Sequence, residues 1–326
     1  MPIRFVLIGA GRIARRHAEQ IRRTGILVAV ADPDSGILAD FTQIFPVPGF
    51  ADPSVMLEQA TADIAVICSP NGLHFHHVRL ALAKGLHVLC EKPFCLRSSE
   101  VAVLTELSRQ SARQVFLVLS ARFHPILQQI LAKIRQGAWG RVLSFQLNAC
   151  WNRPADYYRQ SSWRGSRELD GGILYTQFSH YLDALCCFVP NLKPTAVSMK
   201  NELHQPWIQG EDSGIALLEN TAGTIGSLHW TVNATNRNME ASLLLVLEKA
   251  TLRLGGTHMQ ELDWLEIEDN STGISKTGLP GNTLPGHHAE VYDELLLALS
   301  GHSHRLPGPQ DGLSSIELIE AIYRGS

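Results

Sequence analysis

The turn Gly9-Ala10-Gly11-Arg12-Ile13-Ala14 follows an apolar run and opens a helical segment. Gly9 permits a tight turn, Gly11 lets a pyrophosphate approach the backbone, and small Ala14 allows close helix–strand packing. The phosphates would then sit at the positive end of that helix, with Arg12 and Ile13 beside them. Asp32 ends the second apolar run, 21 residues after Gly11. There it can accept hydrogen bonds from an adenosine ribose and repel a 2′-phosphate. NAD is therefore expected over NADP, with Arg12 and Arg15 leaving some tolerance for a phosphate.

Two further run ends carry polar groups, Cys68-Ser69-Pro70-Asn71 with His74 beyond it, and Cys90-Glu91-Lys92-Pro93. Ligands of open α/β sheets bind beyond the carboxyl ends of strands, where both segments would lie. Residues 150–167 hold four arginines, four large aromatics and one acid. Guanidinium groups pair bidentately with carboxylate or phosphate, and aromatics stack on rings. The stretch thus suits an anionic ligand bearing a ring, such as a nucleotide-linked sugar acid. His76, His77, His287 and His288 have no carboxylate or cysteine at ligand spacing, so no metal is expected.

These groups need elements to hold them. Over the first 119 residues, short apolar runs at 3–8, 26–31, 64–69, 87–90 and 115–119 alternate with amphipathic stretches such as 12–23 and 73–84. Strands buried on both faces read this way, and the alternation predicts a doubly wound parallel sheet. Beyond it come a helix (125–136), a strand (142–149) and a long helical segment (171–189) stopped by Pro190. Strand-like runs at 195–202, 213–219, 223–233 and 241–248 follow without helices between them, which predicts an antiparallel sheet. Residues 270–286 read as a loop before two closing helices, about 287–299 and 311–323. The expectation is a Rossmann domain over 1–119 and an α+β domain over 120–326, built on a large, mainly antiparallel open sheet. The last helix could pack back on the first domain.

Composition excludes several classes. The chain has 326 residues, 28 basic and 31 acidic, for a net charge of −3. That gives no general attraction to nucleic acid or an anionic membrane. No apolar run approaches the ~18 residues of a transmembrane helix, and the N-terminal segment reads as a strand rather than a signal peptide. Six cysteines fit neither a disulfide framework nor a zinc site, and a cytoplasmic protein is expected.

GxGxxA, then Ser69-Pro70-Asn71 with His74, then Glu91-Lys92-Pro93, then Gly171-Gly172 leading to His180 and Asp183, together resemble the Gfo/Idh/MocA oxidoreductases over nearly the whole chain. The resemblance implies that Lys92 projects between nicotinamide and substrate, stabilising a developing alkoxide. Pro93 would fix the backbone there through a cis bond. Ser69, Pro70, Asn71, His74 and Glu91 would line the cofactor, as would Trp163 and Arg164. His180, with an ordinary pKa near ~6.5, suits proton removal from a carbinol as hydride leaves. Thr176 and Gln177 would share its helix face by i, i+3, i+4 geometry. Many relatives carry Asp where Thr176 stands, which puts a simple Lys–Asp–His triad in doubt. Asp183 reads as structural. Arg122, Tyr157, Tyr158, Arg159 and Arg164 complete the expected substrate contacts. The run Tyr157-Tyr158-Arg159-Gln160-Ser161-Ser162-Trp163-Arg164-Gly165 also resembles the branch that oxidises C3 of UDP-N-acetylglucosaminuronate for surface polysaccharides.

The leading expectation is an NAD-dependent dehydrogenase of such a sugar, with Lys92 and His180 as its catalytic pair. Alternatives are an inositol or simple hexose dehydrogenase, a ketosugar reductase, or a non-catalytic nucleotide-sensing regulator. A homodimer or homotetramer is expected, because an open sheet face without its own helices tends to find a partner.

Overall fold

The short apolar runs of the first part become the strands β1 (Arg4–Ile8), β2 (Ile26–Ala31), β3 (Gly49–Phe50), β4 (Ile64–Ile67), β5 (His87–Cys90) and β6 (Val115–Leu117). All pair in parallel, in the order β3-β2-β1-β4-β5-β6. The strand order reverses beside β1, so the β1 and β4 ends flank the crevice where such sheets bind ligands. The helices are α1 (Arg12–Thr24), α2 (Ser35–Ile44), α3 (Pro53–Gln59), α4 (His74–Ala83) and α5 (Ser98–Ser111). Helix α1 buries Ala14, His17, Ala18 and Ile21, a stripe at i, i+3, i+4 and i+7. The computed structural model describes residues 2–268 and 287–325. The stretch 270–286, expected as a loop, lies outside the described residues.

The chain divides into two compact units, one of residues 1–120 with 287–313, the other of 121–286 with 314–326. A single cut near residue 119 therefore misses a return of the chain. The second unit contains α6 (Pro125–Arg135), β7 (Val142–Cys150), α7 (Ala155–Arg159), α8 (Ser179–Phe188), β8 (Lys193–Lys200), β9 (Ser213–Glu219), β10 (Ile225–Thr231), β11 (Glu240–Leu247), β12 (Ala250–Gly255) and β13 (Glu261–Ile267). The returning segment carries α9 (His288–Leu299), and α10 (Leu313–Arg324) follows. It is α9, not the last helix, that joins the first unit. Its Tyr292 packs on Phe5 of β1 with ring centroids 5.9 Å apart.

The second sheet has the order β13-β12-β11-β7-β10-β9-β8. Only β7 and β10 pair in parallel; the other pairs are antiparallel. Gly214 and Gly226 make room for large rings on neighbouring strands. A Cβ on Gly214 would lie 2.2 Å from the Trp230 ring, and one on Gly226 would lie 2.5 Å from Phe145. On β9 the residues alternate: Ala216 and Leu218 are buried, while Ile215 and Leu217 are about half exposed. One face of this sheet therefore carries exposed apolar side chains. Among the described residues, no helix is long and apolar enough to cross a membrane.

Candidate active site

The dinucleotide turn has the shape its residues require. Gly9 sits at φ +98°, and a Cβ there would lie 2.6 Å from the Cys68 backbone, so only glycine fits. Gly11 caps α1 without a side-chain hydrogen bond, and a Cβ on it would meet nothing within 4 Å. Helix α1 also has no acid in its first turn. Neither a side-chain cap nor an acid competes for the helix N-terminus, an arrangement that fits a pyrophosphate. Asp32 Oδ2 accepts a hydrogen bond from the Ala10 amide (2.8 Å) and Oδ1 from the Asp34 amide (3.0 Å), which fixes the carboxylate beside that turn. Bound NAD would be held here, by Gly9, Gly11 and Ala14 at the phosphates and Asp32 at the ribose. Arg12 is exposed and Ile13 half-buried at the start of α1. Asp32→Ala should narrow the preference for NAD over NADP, since it removes both the ribose acceptor and the repulsion. Titration calorimetry with the two cofactors checks it; an unchanged affinity ratio refutes the role.

The β4 and β5 ends are tied together from behind. His74 is buried, with Nδ1 2.7 Å from the Pro93 carbonyl and Nε2 2.9 Å from the Ser69 carbonyl. It was expected to line the cofactor; the structure makes it a brace between two turns. Ser69 Oγ meets His77 Nδ1 at 2.8 Å. Pro70 is half-buried and Asn71 buried at the start of the following short helix. The Lys92–Pro93 bond is cis, as expected.

Behind Lys92 lies a buried network that the sequence did not reveal. Glu91 Oε2 accepts the Lys92 amide at 3.1 Å, while Oε1 lies 2.9 Å from His17 Nε2 and 3.5 Å from His288 Nε2. His17 Nδ1 in turn meets Tyr292 Oη at 3.0 Å. Burial pushes the His17 pKa down, while the two histidines hold the Glu91 carboxyl well below its usual range despite its burial. A neutral His17 donating through Nε2 and accepting from Tyr292 at Nδ1 satisfies every distance. The donor atoms of His17, Glu91 and His288 lie within 4.8 Å of one another. Through the hydrogen bond from the Lys92 amide to Glu91, the cluster supports the Lys92 turn. His17 follows Ala14 by three residues on the buried face of α1, a spacing visible in the sequence; its partners on α9 are not.

These histidines make the first unit sensitive to acid. Burial pushes His77 down to about 4, and His17 and His74 shift the same way for the same reason. A folded-state pKa below the unfolded value of about 6.5 leaves the unfolded chain binding more protons between those values. The stabilisation is present above pH 6.5 and is lost as pH falls toward 4. For His77 alone it is on the order of 3 kcal/mol. Urea midpoints should therefore fall between pH 7.5 and 5, and His77→Asn should flatten the profile.

In the second unit, the segment expected as one regular helix opens with a π turn, Leu174–Phe178, before α8. The extra residue per turn breaks the simple i, i+3, i+4 register, so Thr176, Gln177 and His180 do not share a regular α-helical face. Such turns often mark functional sites. Thr176 Oγ1 donates to the Asp170 carbonyl at 3.2 Å. His180 is half-buried at the second position of α8. Gln177 is a hub: its Oε1 accepts from Arg153 Nε (2.7 Å) and its Nε2 donates to Tyr157 Oη (3.0 Å). Arg153 lies 5.2 Å from the Tyr157 ring centroid, and Arg164 lies 4.2 Å from the same centroid and 5.4 Å from that of Trp163.

Three expected substrate contacts are placed differently. Arg122 Nε and Nη2 each meet a carboxylate oxygen of Asp183 at 2.8 Å, so its fork is engaged within the fold. Tyr158 is only 3% exposed, its ring edge-on to Tyr157 and His204, and burial pushes its phenol pKa up. Arg159 is exposed, paired with Asp156 and stacked over Trp207. Tyr157 and Arg164 remain together. Arg153, within the same arginine-rich stretch, is one of two arginines, with Arg167, that the sequence reading left unassigned.

The fold and the cofactor turn together define an NAD-binding oxidoreductase. Residues 3–118 match the oxidoreductase family with an NAD-binding Rossmann fold, and residues 127–253 match the GFO/IDH/MocA C-terminal domain. The chain belongs to the Gfo/Idh/MocA oxidoreductases. Its fold superposes on the WlbA dehydrogenase of Bordetella pertussis, solved with NADH and UDP-GlcNAcA, with a TM-score of 0.92 at 28% identity, covering 99% of this chain and 95% of that one. The WlbA dehydrogenase of Chromobacterium violaceum, also with NADH and UDP-GlcNAcA, gives 0.91 at 27%, covering 99% and 93%. D-glucoside 3-dehydrogenase of Escherichia coli is 30% identical over 146 residues, 43% of this chain and 41% of that enzyme. This chain thus spans about two-fifths of the length of that relative.

Proposed function

We propose that this protein oxidises a secondary hydroxyl of an anionic, nucleotide-linked sugar, such as C3 of UDP-N-acetylglucosaminuronate, as a step in surface-polysaccharide synthesis. The observation that carries the reading is the full-length likeness to two dehydrogenases solved with NADH and that sugar nucleotide. Bound NAD would supply the hydride acceptor. Lys92 would polarise the reacting oxygen and His180 would accept its proton. The carbinol C–H then leaves as hydride, and a carbonyl remains.

A spectrophotometric screen tests this. NAD reduction with UDP-N-acetylglucosaminuronate, and little with free hexoses, is the expected result. Reduction with neutral glycosides alone would favour the second reading, to which the local match to D-glucoside 3-dehydrogenase points.

The six cysteines form no disulfide, which suits a reducing compartment such as the cytoplasm. We also propose that the protein is a homo-oligomer, a dimer or tetramer, using the exposed sheet face that bears Ile215, Leu217 and Ile225. Light scattering at micromolar concentration should give a multiple of the 35.9 kDa chain mass; a monomer refutes it.

A further inference from the structure

We propose that Arg153 reads the carboxylate of the reacting sugar and so sets a preference for a uronate over its neutral counterpart. This rests on the sugar-nucleotide reading above. The argument starts from charge. Arg4, Arg122, Arg141, Arg159, Arg253 and Arg305 each meet an Asp or Glu carboxylate. Arg153 does not. Its Nε donates to Gln177 Oε1 at 2.7 Å, and its Nη1 donates to the Asn152 carbonyl at 2.6 Å and Asn238 Oδ1 at 3.1 Å. Its plane lies over Trp151 at 4.7 Å and Tyr157 at 5.2 Å. Every one of these partners is neutral, and none among the described residues is an acid.

A partly buried cation without a counter-charge costs free energy that the fold recovers only when an anion arrives. Burial pushes the Arg153 pKa down, as expected of a cation held by neutral groups. The Tyr157 ring also faces the guanidinium of Arg164 at 4.2 Å, and Arg164 likewise has no carboxylate among the described residues. Two like charges against one ring repel each other, and one ligand anion would relieve both.

The sugar's carboxylate and the diphosphate are both anions suited to this fork, and the substrate pair in the test distinguishes them. Arg153 is clamped through Nε to Gln177, which lies on the π turn only three residues before His180. Nε and Nη1 are committed, and Tyr157 also hydrogen-bonds the guanidinium, so a ligand carboxylate would share the fork with, or displace, that neutral phenol. Asn152, Asn238 and the two rings hold the plane, so little ordering remains when the carboxylate binds.

The test compares kcat/KM for UDP-N-acetylglucosaminuronate and UDP-N-acetylglucosamine in wild type, Arg153→Met and Arg153→Lys, reading NAD reduction. Hydrogen bonds to charged groups contribute about 1.5–3 kcal/mol, so Arg153→Met should lower the uronate-to-neutral ratio by about 10- to 100-fold. Arg153→Lys keeps the charge without the planar fork and should lower the ratio less. It also serves as the test should the Met variant fail to fold, because an unchanged ratio in Lys alone overturns the proposal. An equal loss on both substrates, which leaves the ratio intact, assigns Arg153 to the diphosphate or to support and also overturns it. If wild type reduces NAD with neither sugar nucleotide, the functional reading fails first and this inference fails with it.

Discussion

His180→Ala should lower turnover with the sugar substrate by about 10²–10⁴, the usual loss when a positioned general base is removed. NAD affinity should change little. A carbinol proton has a pKa far above neutrality and must leave as the C–H hydride departs, so a base of matched pKa is needed beside the oxygen. Imidazole, near ~6.5 unperturbed, is the side chain suited to that work around neutral pH. Lys92→Ala should cost a similar factor for a different reason, since its ammonium would stabilise the negative charge that develops on the oxygen. Near-normal turnover in His180→Ala would move the proton acceptor elsewhere. Tyr157, with Oη already hydrogen-bonded to Gln177, is then the next group to test. Tyr158, buried and raised in pKa, is not.

The parts of this protein written in short-range patterns were legible in the sequence. The turn from Gly9 to Ala14 needs glycine where φ is positive and space where phosphate would lie, and both demands fall within six residues. Buried parallel strands announce themselves as unbroken apolar runs, and β1, β2, β4, β5 and β6 follow them closely. What stayed hidden depends on distant partners. Arg122 and Arg153 look alike as basic residues near aromatics. Only the fold shows that one meets an aspartate 61 positions away while the other meets none. The π turn could not be read from periodicity, because its local sequence still shows apolar residues at helical spacing. The return of α9 rests on Tyr292 reaching His17, a pairing across 275 positions. Strand β13 was missed because it is exposed or half-buried throughout, with Trp264 on the open face, and carries a weak apolar signal; β12 was missed because its buried alternation of Ala250, Leu252 and Leu254 spans only six residues.

Arg122→Leu should destabilise the protein more than any surface substitution, by about 3–5 kcal/mol. The reason is geometric. Asp183 is 2% exposed, and both of its oxygens are taken by the Arg122 fork at 2.8 Å. Removing the arginine leaves a buried carboxylate with its charge uncompensated, which costs far more than the loss of an exposed pair. Against a typical total of about 5–15 kcal/mol, that is a fifth or more of the folding free energy. Leucine at both 122 and 183 should recover much of the loss, because an apolar pair removes the stranded charge along with its partner. The pair also bears on chemistry. Arg122 leads into α6, α6 packs on α8, and Asp183 lies three residues after His180 on α8. Breaking the pair should therefore loosen the helix that carries the proposed base. Calorimetry measures the stability of the two single variants and the double, and pre-steady-state hydride transfer measures His180's alignment below the melting temperature. A double variant that regains its Tm but transfers hydride slowly would show the pair orienting α8 as well as stabilising it. A single Arg122→Leu variant as stable as wild type would show that the buried carboxylate finds another partner, and the ion pair would lose its structural role.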